Sequence, residues 1–170
     1  SRRIQIMAKN GFSMSNRVVP EELVGTVTAT AADCGKVYVV DTTTADIQLN
    51  LPGLAAAGNG WNCKVQTVAD PTITKVVKIV SADANLVYGG VTVAAISGAA
   101  GDNPGAGYFK SGASTNITLA SGGLGGQGKG FMGSSVTITA CVLADGITSV
   151  WAVEGNLATS GTTGHTTPFS

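Results

Sequence analysis

Apolar residues in this chain recur at every second position, in short runs, and hardly anywhere at helical spacing. Ile47, Leu49 and Leu51 alternate with Gln48 and Asn50. Successive side chains of a strand point to opposite faces, so this pattern predicts a strand with one buried face. Just before it, Val37-Tyr38-Val39-Val40 is a β-rich run, and Thr42 to Asp46 supply polar turn chemistry, so Asp33 to Pro52 reads as two strands and the turn between them. Late in the chain, Val136, Ile138, Ala140 and Val142 fall on one face, with Thr137, Thr139 and Cys141 on the other. Trp151 and Val153 share a side of the next run, and Asp145-Gly146 between the runs is a favoured hairpin turn, since both residues take positive φ at low cost. The expected core is Ile47, Leu49, Trp61, Val136, Ile138 and Trp151, with the two indoles as its plugs.

Reading onward from Gly25, the same signals predict strands at Thr26–Thr30, Lys36–Asp41, Asp46–Leu51, Trp61–Val68, Thr74–Ser81, Asn85–Tyr88 and Val91–Ser97. Further strands are predicted at Tyr108–Lys110, Thr115–Ala120, Ser134–Leu143 and Ser149–Glu154. Turn formers separate them: Pro52-Gly53, Gly58-Asn59-Gly60, Asp70-Pro71, Gly89-Gly90 and Asp145-Gly146. Leu54 to Ala57 is the one helix-prone piece, long enough for a single turn. Many short strands with regular turns predict an all-β sandwich or closed barrel. Two Gly-rich loops, Gly98 to Ser114 and Ser121 to Gly133, interrupt the series.

Residues 1 to 24 differ from the rest. Arg2, Arg3, Lys9 and Arg17 all precede the first acid, Glu21, and Ile4, Ile6, Phe12 and Met14 share no periodic face, although Ile4-Gln5-Ile6 is long enough for a short edge strand. The expected organisation is an extended arm over residues 1–24, a sandwich over 25–160 and a tail over 161–170, the arm adding little to folding.

Composition changes this picture in one respect. Only 12% of the 170 residues are charged, against roughly 25% in ordinary globular proteins. Two readings stay open: a surface hidden against partner subunits, or a Thr-rich β surface that is neutral yet hydrated. Mean hydropathy is +0.27, but no apolar run reaches the length of a membrane helix, and Arg2 to Phe12 lacks the apolar centre of a secretory signal. Ten basic and ten acidic residues cancel, which leaves no general field for nucleic acid. Cys34, Cys63 and Cys141 are too widely spaced for a zinc site or a disulfide framework and read as thiols of a reducing cytosol.

Four motifs tempt and fail. Gly123 to Lys129 nearly spells a phosphate loop, but Gly130 stands where Ser or Thr must hold magnesium, and a strand pattern follows instead of a helix. Asp33, Asp41 and Asp46 lack the alternating spacing of a calcium loop and suit turn capping. Asn116-Ile117-Thr118 is a formal glycosylation acceptor in a Thr-rich chain without a signal. The one histidine, His165, lies in the tail far from any acid or thiol cluster, so no nucleophilic triad is credible. The expectation is a protein that is not an enzyme and uses no metal or cofactor.

Ala31-Ala32-Asp33-Cys34-Gly35-Lys36-Val37-Tyr38-Val39-Val40-Asp41, followed by Ile47-Gln48-Leu49-Asn50-Leu51-Pro52, resembles a family of capsid decoration (cement) proteins of tailed bacteriophage heads. The aromatic-led strand at Gly60-Trp61, the run from Val76 to Tyr88-Gly89, the Asp145-Gly146 turn and Trp151-Ala152-Val153-Glu154-Gly155 continue the resemblance. The chain departs from it at Cys34, at Gly133-Ser134, in a longer final connection and in the two Gly-rich loops. The resemblance implies a jelly-roll-like β-sandwich, made in the host cytoplasm, that forms a homotrimer on the outer surface of the virion. It would bind the major capsid protein and bridge capsomers, with Arg2, Arg3, Ile4, Ile6, Lys9, Phe12, Met14 and Arg17 as the contact arm. The alternative is a carbohydrate- or receptor-binding module of a head fibre or tail fibre, for which Tyr108, Phe109 and Phe131 are the candidate aromatics.

Overall fold

A computed structural model describes residues 19–41, 45–69, 75–82, 87–95, 106–110, 115–120, 133–142, 149–159 and Phe169, with 95, 106–110, 120 and 159 described for their backbone alone. The strands are β1 (Glu21–Leu23), β2 (Thr26–Thr28), β3 (Lys36–Val40), β4 (Ile47–Asn50), β5 (Asn62–Thr67) and β6 (Val76–Val80). They continue with β7 (Val87–Ala95), β8 (Ala106–Lys110), β9 (Asn116–Ala120), β10 (Ser135–Cys141) and β11 (Val150–Thr159). A single helical turn, α1 (Leu54–Ala57), follows β4. The result is an all-β sandwich of two mixed sheets, a large one ordered β1-β3-β5-β10-β11-β7-β8 and a small one ordered β2-β4-β6-β9.

The first six strands alternate between the sheets. β1, β3 and β5 run parallel to one another in the large sheet, and β2, β4 and β6 do so in the small one. The chain therefore winds as a flattened coil, and each parallel crossover is a strand of the opposite sheet rather than a helix. The two strands expected within Asp33–Pro52, β3 and β4, accordingly lie in different sheets. The pattern changes at the end of the chain, where β10 pairs antiparallel with both β5 and β11 and closes the middle of the large sheet.

The core follows the two-residue period. All six expected residues, Ile47, Leu49, Trp61, Val136, Ile138 and Trp151, are buried between the sheets. Their seam is built over Ala140, which pairs with Trp151 and exchanges backbone bonds with the Gly60–Trp61 segment (Ala140 N to Trp61 O, 2.7 Å; Gly60 N to Ala140 O, 2.8 Å). A small residue between two indoles lets them meet edge to face across an intervening strand, with centroids 5.5 Å apart at 78°. Such a pair is worth about 0.5–1.5 kcal/mol beyond its buried area. Trp61 Nε1 donates to Thr30 O at 3.1 Å, whereas Trp151 Nε1 is buried with no partner among the described residues.

Three sequence expectations are corrected. The sandwich does not begin at Gly25: β1 pairs with β3, and Leu23 is 1% exposed in the core. It does not end at 160 either, because Phe169 bridges Ile117 and is buried. Gly89-Gly90 is no turn but lies inside β7, which joins two predicted strands. At φ +136°, Gly89 brings its backbone so close to β11 that a Cβ would sit 1.9 Å from Val153 O, so the glycine permits strand contact rather than chain reversal. β11 likewise runs five residues past the predicted end at Glu154. The arm residues, His165, Phe131, the Asp145-Gly146 turn and the phosphate-loop look-alike lie outside the described residues.

Candidate functional site

Two surface regions gather polar chemistry, and the first is the rim where residues 1–18 join the sandwich. The segment from Thr30 to Lys36 folds here into a clamp. Cys34 (φ −57°, ψ 131°) and Gly35 (φ +80°) have the conformations of the central residues of a type II turn, whose second position favours glycine. This turn brings Asp33 back to Lys36, with Nζ to Oδ1 at 2.7 Å. The same ammonium reaches Glu21 of β1 at 2.6 Å and lies 5.9 Å from the centroid of the Tyr38 ring. Asp33 also accepts from Thr30, from its N–H at 2.6 Å and its hydroxyl at 2.8 Å. Thr30 in turn accepts from Trp61. A continuous line of contacts thus runs from the indole seam through Thr30, Asp33 and Lys36 to β1.

The electrostatics agree with the geometry. The Lys36 hydrogen bond, followed by those from Thr30, lowers the Asp33 carboxyl to about 2, and the Asp33 and Glu21 carboxylates raise Lys36 above the ordinary lysine range. Beneath the clamp, burial pushes the Cys63 thiol and the Tyr38 phenol up to about 12 each. The large apolar side chains left exposed among the described residues are Val19, Val24 and Val68, at 71%, 72% and 45%. Val19 and Val24 flank β1, and Val68 extends the neighbouring ladder by donating to Val40 O at 3.1 Å. Val19 and Val24 therefore lie on the β1 edge, and Val68 lies two strands further in, at the C-terminal ends of the parallel strands.

The second region is a shallow depression of about 360 Å3 on the outer face of the large sheet. One row across the strands is Lys64, Thr137, Glu154 and Gly90; the next holds Ser135, Asn156 and Thr92. Strand spacing puts Lys64 and Glu154 about 10 Å apart with Thr137 between them. Every lining side chain is polar or absent.

Sequence reasoning placed the core but missed both regions. Asp33 caps its local turn as the sequence suggests, accepting from Thr30 N–H, whereas Asp46 accepts instead from Val76 N–H at the start of β6, at 3.0 Å. The pairing of Lys36 with Glu21 needed the parallel β1–β3 register, which no local pattern announces. Among the described residues no three His, Cys, Asp or Glu side chains cluster as a metal site would need, and no helix is long and apolar enough to cross a membrane. No protein family, no curated protein and no solved structure matches the chain.

Proposed function

We propose that this chain is a structural virion protein, a decoration protein that binds the outer surface of a phage head as a homotrimer and stabilises it by bridging capsomers. The observation that carries the reading is the arm-bearing rim. An arm that holds a particle together must pass load into a folded body, and a three-residue edge strand alone is a weak anchor. Here the residues that carry the family resemblance clamp that strand through Glu21, while Leu23 buries its far end. Val19 and Val24, on either side of β1, give this edge apolar surface that a docked neighbour would cover. In this reading Arg2, Arg3, Lys9 and Arg17 pair with acidic loops of the major capsid protein, and Ile4, Ile6, Phe12 and Met14 fill its pockets.

The test is decoration of undecorated capsids by the full chain and by a chain that starts at Val19. Three arms acting together raise binding ~100-fold or more over one arm, so the shortened chain should lose about that much affinity while remaining folded. Binding by the full chain should also weaken as salt rises. Equal decoration by both chains would remove the arm from the attachment, and light scattering that returns a monomer would remove the trimer.

A further inference from the structure

Part of the small sheet's outward face is knit together by its own side chains: Gln48 Nε2 donates to Asn50 Oδ1 at 2.7 Å, and Asn50 Nδ2 donates to Thr28 Oγ1 at 3.2 Å. On the large sheet, Lys64, Thr92, Ser135, Thr137, Glu154 and Asn156 surround the depression, and none makes a side-chain hydrogen bond or ion pair among the described residues. Two of the chain's few charges thus stand unpaired on either side of a threonine.

We propose that this depression binds a neutral saccharide of one or two rings. Its volume of about 360 Å3 is at the small end of the roughly 300–1,000 Å3 typical of small-ligand sites. No lining side chain is apolar, so a lipid chain would find nothing to bury against. Lys64 and Glu154 cancel in charge, so an anion meets Glu154 and a cation meets Lys64, each at a cost. An uncharged ligand rich in hydroxyls meets neither penalty. Each sugar hydroxyl both donates and accepts. It can receive from Lys64, give to Glu154, and do either with Asn156 and the Ser and Thr hydroxyls. Half-buried Tyr88 lies on the same face, two residues before Gly90 and opposite the small Ala152, where its ring can meet the C–H face of a pyranose. This site uses none of the rim residues and stands apart from the capsid reading.

The experiment is an amide chemical-shift titration of the full chain with lactose, maltose, cellobiose and chitobiose, with glucuronic acid and glucosamine as charged controls. At least one neutral sugar should shift the amides of Lys64, Gly90, Thr137 and Glu154 saturably, with millimolar Kd. Thr137→Val keeps the shape and removes one hydroxyl, and it should raise that Kd about three- to tenfold. Glu154→Gln should weaken the same sugar while leaving the remaining amide spectrum unchanged. The proposal is overturned if none of the four sugars moves these amides, if the charged sugars bind tighter, or if neither substitution changes the Kd.

Discussion

The indole seam and the β1 rim are joined by a line of contacts yet are held by opposite means. At the seam, Trp61 and Trp151 meet over Ala140 with both rings buried, and the hold is area and shape. At the rim, Glu21, Lys36 and Asp33 remain partly open to water, and only Leu23 reaches inside. Desolvated apolar contact is strong and indifferent to salt, whereas exposed ion pairs are individually weak. The molecule therefore keeps its stability in the middle of the large sheet and leaves edge strand β1 to a latch that geometry supplies and solvent weakens.

The largest effect should come from the seam. Trp151→Ala removes a fully buried ring and should cost about 3–5 kcal/mol. Domains hold only ~5–15 kcal/mol in all, so the variant should melt far below the parent or fail to stay soluble. A thermal melt within a few degrees of the parent would mean that the seam is not where the strength lies.

Truncation divides the rim itself. A chain that starts at Val19 keeps β1 and should melt with the parent. A chain that starts at Gly25 loses Leu23 and uncovers the β3 edge, which should lower the melting temperature by roughly 5–15 °C. Coincident melts for the two would show that β1 adds nothing to the fold.

How much of this was legible in the sequence follows from the range of the interactions. The seam was readable because Trp151, Val153, Val136 and Ile138 carry a period of two, and burial follows that period directly. β1 was not: Glu21-Glu22-Leu23 has no period to read, and it becomes a strand only because the coil brings it beside β3. Gly89-Gly90 misled for a related reason, since a glycine pair signals turn or close approach equally, and only the β11 neighbour decides. The depression combines residues of four strands, and such a cross-strand row cannot be read before the register is known.

Titration should also separate the groups buried beneath the clamp from the clamp itself. Burial raises Cys63 and Tyr38 to about 12, above their ordinary values of 9.0 and 10.0, so the folded state keeps protons that the unfolded chain gives up. Stability from these groups is intact below about pH 9 and falls between there and pH 12, at about 1.4 kcal/mol per pH unit for each group that titrates only when unfolded. Melts of the parent and of Cys63→Ala, at pH 8 and at about pH 10.5, should show the parent losing more of its stability over that interval. Parallel losses would mean that the thiol is not the linked group.

The rim responds at the other end of the scale and least of all. Asp33 is held near 2 by Lys36 and Thr30, below the ordinary 3.8. Its contribution is therefore present above about pH 4 and disappears as pH falls towards 2. Because the carboxylate and the ammonium are open to solvent, the change in melting temperature should be small, and added salt should mimic it. Asp33→Asn should flatten the acid limb and barely move the melt at neutral pH. Local opening is the sharper readout, since an edge strand of three residues can detach without the sandwich unfolding. Amide hydrogen exchange in β1 should quicken in Asp33→Asn and in high salt, while the amides of Ile138 and Val153 beside the seam keep their protection. If β1 stays as protected in the variant as in the parent, Asp33 does not help Lys36 to hold Glu21, and the β3 ladder with Leu23 is enough to fasten the strand.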